Sequence, residues 1–370
     1  MNKKISVIVV LITFLLTAKG YSQLQTLSGR KITVENLDKS IKQQMDSLAM
    51  PGLSFALINN GKVVYHRNYG IANMETKSEV NEQSIFEAAS MSKTVFAYFV
   101  LKMVDKKQLN LDTPLYHYMP YKDIEKDDRY KLITARMVLS HTTGFPNWRY
   151  FDKRDEERYK YGELYLKFNP GKEFAYSGEG YRYLSLVIAH LNGLSIQTLD
   201  SLFQKEVARP LNMKHTWFSG NNYISNHKVK GHVNGKVVNK AWPTSFPEQD
   251  STWFDAAGGL HTQALDFSKF LIGLMKGKGI SKSLLNEMFK PQVTLDKKSP
   301  HYIFNGDTAW GLGVAIRPVK YGTIYEHGGN NGDFQSGFKI NRANQNGYVF
   351  LTNCDKGAEF NIQLSKLLIE

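Results

Sequence analysis

AASMSKTVFAYFVLKMV, residues 88–104, is the stretch from which the fold is read. It predicts a helix with apolar residues on nearly every face, and such a helix belongs inside the protein. Ser90 stands where a loop enters this helix, and Lys93 follows one turn later. Residues three apart on a helix share a face, so the Lys93 amine can approach the Ser90 hydroxyl. The helix N-terminus adds free N–H groups and a positive dipole end, both favourable to a developing oxyanion. A lysine on an otherwise apolar helix is desolvated, which moves its pKa down towards that of a useful base. The spacing alone proves little. Ser28–Lys31, Ser225–Lys228 and Ser336–Lys339 share it, and a helix-capping serine with a surface lysine fits it as well.

On the N-terminal side, Leu37, Ile41, Met45 and Leu48 recur at helical spacing, and Pro51-Gly52 ends that helix. Residues 53–58 and 62–66 flank Asn59-Asn60-Gly61, a hairpin signal because Asn-Gly accepts positive φ angles. On the C-terminal side the chain reads as mostly helical with irregular loops. Residues 136–139 lead into Ser140-His141-Thr142-Thr143-Gly144-Phe145-Pro146 as a helix end and turn, and residues 152–160 form a densely charged, solvated face. Residues 181–191 are an apolar helix stopped by Asn192-Gly193. Residues 220–250 carry little periodicity. Gly258-Gly259-Leu260 precedes a helix at residues 264–275. Residues 309–317, 323–327, 336–340 and 347–353 read as strands, with Asn346-Gly347 helping to turn one pair. A last helix runs through Ile362, Leu367 and Leu368. Strands at both ends with helices between them predict an α/β fold of the α+β type, with one antiparallel sheet assembled from the two termini. No repeat or low-complexity linker interrupts the chain.

Of 370 residues, 42% are hydrophobic and 22% charged, an ordinary globular balance that can supply a sizeable core. The first 22 residues stand outside that core. Lys3 and Lys4 precede an apolar run over residues 5–16 and a small or polar stretch ending at Ser22, the order of a signal peptide. The run is shorter than the roughly 20 residues of a spanning helix. An uncleaved anchor is the competing reading, and with no cysteine nearby a lipid-modified one is excluded. Cleavage near Ser22–Gln23 leaves residues 23–370 as one mature domain, periplasmic or secreted from a bacterium, with no stable membrane span. The single cysteine, Cys354, cannot form an intramolecular disulfide, and it reads as a buried thiol at a strand end. The formal charge is +13, falling to +10 without Lys3, Lys4 and Lys19. Such a protein is drawn towards anionic envelope polymers or acidic substrates. Its basic residues are scattered, so nucleic acid is not an expected partner.

Two further elements carry chemistry. Tyr176-Ser177-Gly178 follows Pro170-Gly171 and precedes a buried helix. A phenol close to a lysine can be driven towards phenolate and act as a base, although twenty tyrosines make a core aromatic an open alternative. His327-Gly328-Gly329-Asn330 comes straight after a predicted strand. Its glycines allow close backbone approach and its N–H groups can complete an oxyanion hole, although a glycine-rich turn with an incidental histidine fits too. No Gly-x-Ser-x-Gly elbow occurs, which disfavours a Ser-His-Asp triad. No His-Glu-x-x-His, thiolate cluster or phosphate-cradling loop occurs, so neither metal nor cofactor is expected. His141 and His261 are accounted for by loop structure.

In this order and context, the elements resemble the penicillin-recognising serine hydrolases, in the branch of class C β-lactamases, D,D-carboxypeptidases and β-lactamase-fold esterases. The resemblance spans nearly the whole mature chain. It includes Phe86-Glu87-Ala88-Ala89-Ser90-Met91-Ser92-Lys93, Leu111-Asp112-Thr113-Pro114, Leu139-Ser140-His141-Thr142-Thr143-Gly144, Pro210-Leu211-Asn212-Met213 and Gly258-Gly259-Leu260, besides the tyrosine and histidine segments. It implies that the sheet packs against a mostly helical lobe, roughly residues 85–250, with the site in the cleft between. It implies an acyl-enzyme on Ser90, with Lys93 as proton acceptor and Tyr176 as proton shuttle. The oxyanion would be held by the N–H groups of Ser90 and Asn330. The substrate would be a small ester or peptide-like amide, including cell-wall-derived peptides. Two departures bear on that substrate. Gly178 stands where the family's tyrosine motif often ends in Asn, and His327 stands where class C enzymes carry the lysine of Lys-Thr-Gly. Both weaken recognition of a carboxylated amide such as a β-lactam. A catalytically silent binder of cell-wall peptides, or a true class C-like β-lactamase, are the alternatives.

Overall fold

In a computed structural model the chain is described over residues 23–150, 160–239 and 248–370. The expected signal peptide and the charged run at 152–159 lie outside the described residues.

The hairpin at Asn60-Gly61 is the seed of the sheet. Asn60 and Gly61 take φ of 50° and 65°, the left-handed pair that a tight hairpin turn requires. They join β1 (Gly52–Asn59) to β2 (Lys62–Asn73), which continues beyond its predicted end before pairing with β3 (Ser78–Glu79). From the other end of the chain come β4 (Val293–Thr294), β5 (Ala309–Trp310), β6 (Ala315–Val319), β7 (Gly322–Asn330), β8 (Gln335–Asn341) and β9 (Asn346–Thr352). All nine form one antiparallel sheet in the order β4-β5-β6-β7-β8-β9-β1-β2-β3. The pairing of β9 with β1, through Phe350↔Phe55 among others, is where the two ends of the chain meet. Every residue of β1, β8 and β9 is buried, so both faces are covered.

One face carries α1 (Val34–Ser47) and the C-terminal helix, labelled α5 (Gly357–Leu368). α1 starts at Thr33, whose hydroxyl accepts the Asn36 N–H, and buries Leu37, Ile41 and Met45, the predicted stripe. The other face carries α4 (Ala264–Met275) and, beyond it, the helical layer with α2 (Ser92–Asp105) and α3 (Glu179–Leu191). α2 is the helix read from residues 88–104, and eleven of its fourteen residues are buried. Its core includes Phe96, whose ring lies against Phe99, Tyr181 and Phe254.

Several boundaries differ from the sequence reading. Residues 89–91 form a separate 3-10 turn before α2, with Ala89 at φ 47°, so Ser90 precedes the α-helix rather than opening it. The strand expected at 309–317 is broken in two by Gly311-Leu312-Gly313, because Gly313 at φ 77° lies against Ala97 of α2. Asn346-Gly347 lies inside β9, and the turn falls on residues 342–345 with Gln345 at φ 54°. His327-Gly328-Gly329-Asn330 is no turn. It continues β7 in register with Gln335–Phe338 of β8. Residues 222–238, read as irregular, hold the helix Asn222–His227 and a small hairpin. Cys354 is buried just past β9, as expected.

Truncating Phe96 to Ala should cost about 3–5 kcal/mol, the range for a large aromatic lost from a packed core. Urea unfolding followed by circular dichroism reads this as a lowered midpoint. An unchanged midpoint would show that α2 is not the packing centre.

Candidate active site

The site lies where the turn before α2, the segment before α3 and the edge of β7 converge. Strand β6 pairs with β7 only as far as Ala315↔Glu326, so His327–Asn330 form an edge with β8 on one side. That edge is held against the turn that carries Ser90. The Ser336 hydroxyl on β8 donates to the Ala88 carbonyl at 2.7 Å. A Cβ at Gly329 would collide with that hydroxyl and that carbonyl, so only glycine allows the approach. Beyond β7, the Asn331 amide donates to Glu87 at 2.6 Å, and Lys228 pairs with the same carboxylate. On the opposite side of the turn, the Ser92 hydroxyl accepts the Leu260 N–H at 3.0 Å.

Lys93 is 1% exposed, and its amine donates to Ser90 Oγ at 3.2 Å and to the Ala257 carbonyl at 2.7 Å. Both acceptors are neutral. The rings of Tyr176, Tyr181 and Trp148 stand 4.8, 5.6 and 6.0 Å from the amine. Burial brings the Lys93 pKa down to about 7, opposed only by the charge of Asp255. The amine is therefore free to take a proton at neutral pH.

Tyr176 is half-buried, and its ring packs on His141 with centroids 4.3 Å apart. His141 also accepts the Ser177 N–H at 3.1 Å, and its carbonyl accepts the Ala175 N–H at 2.8 Å. It therefore sets the position of the Tyr176 segment, a role its reading as a loop histidine missed. Burial raises the Tyr176 pKa, with the Ser90 hydroxyl opposing the shift. That direction runs against the expected phenolate and favours the protonated hydroxyl.

His327 is likewise neutral. Burial, then the nearby Lys93, push its pKa down to about 3. Its Nδ1–H donates to the Gly328 carbonyl at 2.6 Å, leaving Nε2 as an acceptor 3.5 Å from the Tyr176 hydroxyl. The imidazole therefore brings no positive charge to the β7 edge.

The structure brings Ser90, Tyr176, His327, Gly328, Gly329 and Asn330 to the lining of one cleft of about 540 Å³. The Asn330 side-chain oxygen accepts the Gly332 N–H at 2.7 Å and caps a turn at the end of β7. Gly178 is set apart. Its N–H is held by Asn147, and a Cβ there would strike the Trp148 ring. Asn147 and Trp310, neither singled out from the sequence, line the cleft instead. Asn147 belongs to the quoted segment around Gly144, whereas Trp310 stands in a short strand with no motif. The loop carrying Asn147 and Trp148 is pinned by Arg149, which binds both carboxylate oxygens of buried Glu179, at 3.0 and 2.8 Å.

Nuclear magnetic resonance on lysine- and histidine-labelled protein should give Lys93 a midpoint near pH 7 and show no His327 titration between pH 5 and 8. A Lys93 midpoint near 10 would mean a solvated amine and a different site.

The sequence matches the Beta-lactamase family over residues 37–369. Protein flp of Staphylococcus aureus (strain MW2) is 25% identical over 266 residues, covering 69% of this chain and 52% of its own length. Human serine beta-lactamase-like protein LACTB, mitochondrial, is 22% identical, covering 75% and 65%. The chain thus spans about half to two thirds of the length of these relatives. An octameric penicillin-binding protein homologue from Pyrococcus abyssi superposes with a TM-score of 0.75 at 22% identity, over 91% of this chain and 77% of its own. A class C beta-lactamase superposes with a TM-score of 0.71 at 18% identity, over 90% and 95%. These structures share its antiparallel sheet with flanking helices, and with the match over residues 37–369 they establish that the chain belongs to the Beta-lactamase family.

Proposed function

We propose that this protein is a serine hydrolase that forms an acyl-enzyme on Ser90 and cleaves an ester or peptide-like amide. The observation that carries the reading is the Lys93 amine, buried with no paired carboxylate among the described residues and 3.2 Å from Ser90 Oγ. In acylation the Ser90 oxygen attacks the substrate carbonyl carbon while its proton passes to Lys93. Collapse of the tetrahedral intermediate breaks the bond to the leaving group, which takes a proton through Tyr176. Water then attacks the acyl carbon as its proton passes to the Lys93 amine, the bond from the acyl carbon to Ser90 Oγ breaks, and Lys93 returns the proton to Oγ. The oxyanion falls to the backbone N–H groups of Ser90 and Asn330. His327 accepts from Tyr176 and keeps its hydroxyl turned into the site.

The same geometry argues against efficient β-lactam turnover. The β7 edge offers a neutral imidazole where a substrate carboxylate would need a cation. Trp148 fills the space above Gly178, where the family's asparagine amide would sit. We further propose that the first 22 residues direct export and are removed, leaving the hydrolase outside the cytoplasm.

A fluorophosphonate probe should label the wild type at Ser90 and leave Ser90→Ala unlabelled, as read by peptide mass spectrometry. Of a short aryl ester, a D-Ala-D-Ala peptide and a chromogenic cephalosporin, the wild type should turn over the ester or the peptide at least tenfold faster than the cephalosporin, and Ser90→Ala none of them. Stoichiometric binding without turnover, or turnover that survives Ser90→Ala, would overturn the proposal. For export, the N-terminus of the protein recovered from the native cell envelope or medium should begin near Gln23. Recovery from the cytoplasm with Met1 intact would refute it.

A further inference from the structure

Six large apolar side chains stand exposed among the described residues, and three of them gather at one end of the Ser90 cleft. Ile303 and Phe304 are 61% and 74% exposed, on the helical turn His301–Asn305. Ile362, 50% exposed, reaches the same place from α5. Phe304 and Ile362 line the cleft itself, and all three line an adjoining hollow of about 260 Å³. Exposed apolar residues scattered singly need no explanation, but a cluster drawn from two separate elements onto a cleft marks a binding surface.

The wall between this cluster and the nucleophile is also largely apolar. Tyr176, Trp310 and His301 form a continuous ring surface, with centroids 5.9 Å apart for Tyr176–Trp310 and 5.0 Å for His301–Trp310. His301 leads directly along its helical turn to Phe304. The lining is mixed: Asn147, Asn305, Asn361 and the buried Asp307 and Glu326 supply polar groups, while Trp310, His301, Phe304 and Ile362 supply the ring and aliphatic surface. Orientation follows from Tyr176, whose ring lies 5.9 Å from that of His301. The residue that hands a proton to the departing atom thus stands on the side of the apolar wall. Lys339, Lys366 and Arg317 line the adjoining hollow, where Lys339 is engaged by Glu326, and none of the three lines the Ser90 cleft itself.

We infer that the leaving group of the substrate is a hydrophobic alcohol or amine, lying along Trp310, His301, Phe304 and Ile362. This rests on the acyl-enzyme reading and names the substrate class for it. The Ser90–acyl bond forms, the bond to the hydrophobic alkoxide or amide breaks, and the departing atom takes its proton from Tyr176. Burying each methylene against the wall favours the longer leaving group by about two- to fourfold.

The test uses two ester series on the full-length protein: acetates of straight-chain alcohols from ethyl to octyl, and ethyl esters of acids of matching length. In the wild type kcat/KM should climb with the alcohol chain and stay nearly level with the acid chain. In Phe304→Ser and Phe304→Ser/Ile362→Ser, both at exposed positions, the octyl-to-ethyl ratio should fall about tenfold. A second readout needs no turnover. Calorimetry on Ser90→Ala should detect 1-octanol binding that Phe304→Ser weakens about tenfold. A slope in the acid series instead, a ratio unmoved in the double variant, or no octanol binding would overturn the inference. So would a wild-type dimer that Phe304→Ser dissociates in sedimentation with the chain-length slope intact, since the patch would then bind a second copy. If no ester is cleaved through Ser90 but octanol binds as stated, the subsite stands and the hydrolase reading falls.

Discussion

The structure around the site depends on keeping one ammonium-bearing side chain dry. Lys93 is held inside the protein with neutral acceptors and aromatic faces around it, and without a paired carboxylate. Desolvation disfavours the charged form of such a group, so the protein lowers its pKa instead of neutralising it with an ion pair. An adjacent carboxylate would stabilise the lysine but fix its proton in place. Asp255, the one acid that pulls the other way, is used through its backbone bonds to Ala257 and Gly258. Those bonds fix the segment whose Ala257 carbonyl receives the amine.

The neighbours of Lys93 follow from that choice. Tyr176 and His327 both shift in the direction that keeps them uncharged, so three groups that each could carry charge meet in a neutral centre. Lys93 titrates near neutrality beside two groups held uncharged, so backbone N–H groups could act on a developing charge there without first breaking an ion pair. His141 contributes by position. Its ring supports that of Tyr176 while its backbone and Nδ1 hold the flanking residues.

The remaining burden falls on the sheet. The Ser90 turn and the β7 edge come from sequence positions more than 230 residues apart, and they touch because β9 pairs with β1. Small side chains then set the distance: Gly329 against Ala88, the Ser336 hydroxyl on the Ala88 carbonyl, and Gly313 against Ala97. The strained left-handed backbone at Ala89, beside Ser90, is kept by this packing from both sides.

Local patterns were enough to place the buried helix after Ser90, the Asn60-Gly61 hairpin, the apolar stripe of α1, the helix at 264–275 and the ordered set of motifs. Each of these is written in spacing or turn chemistry within a few residues. The limits of β5 and β6, the turn at Gln345 and the strand character of His327–Asn330 were not legible, because ladder pairing with a distant segment decides them. The same holds for protonation. Ser90 and Lys93 stood out from three other pairs with the same spacing by their apolar context alone. That Lys93 sits near pKa 7, that Tyr176 is a donor and that His327 carries no charge depend on how much water the tertiary packing excludes. Sequence alone singled out Ser90, Lys93, Tyr176 and His327, the side chains that the fold gathers at one cleft. Only the folded packing decided which of them hold protons, and that Trp148 and Phe304 shape the space a substrate can enter.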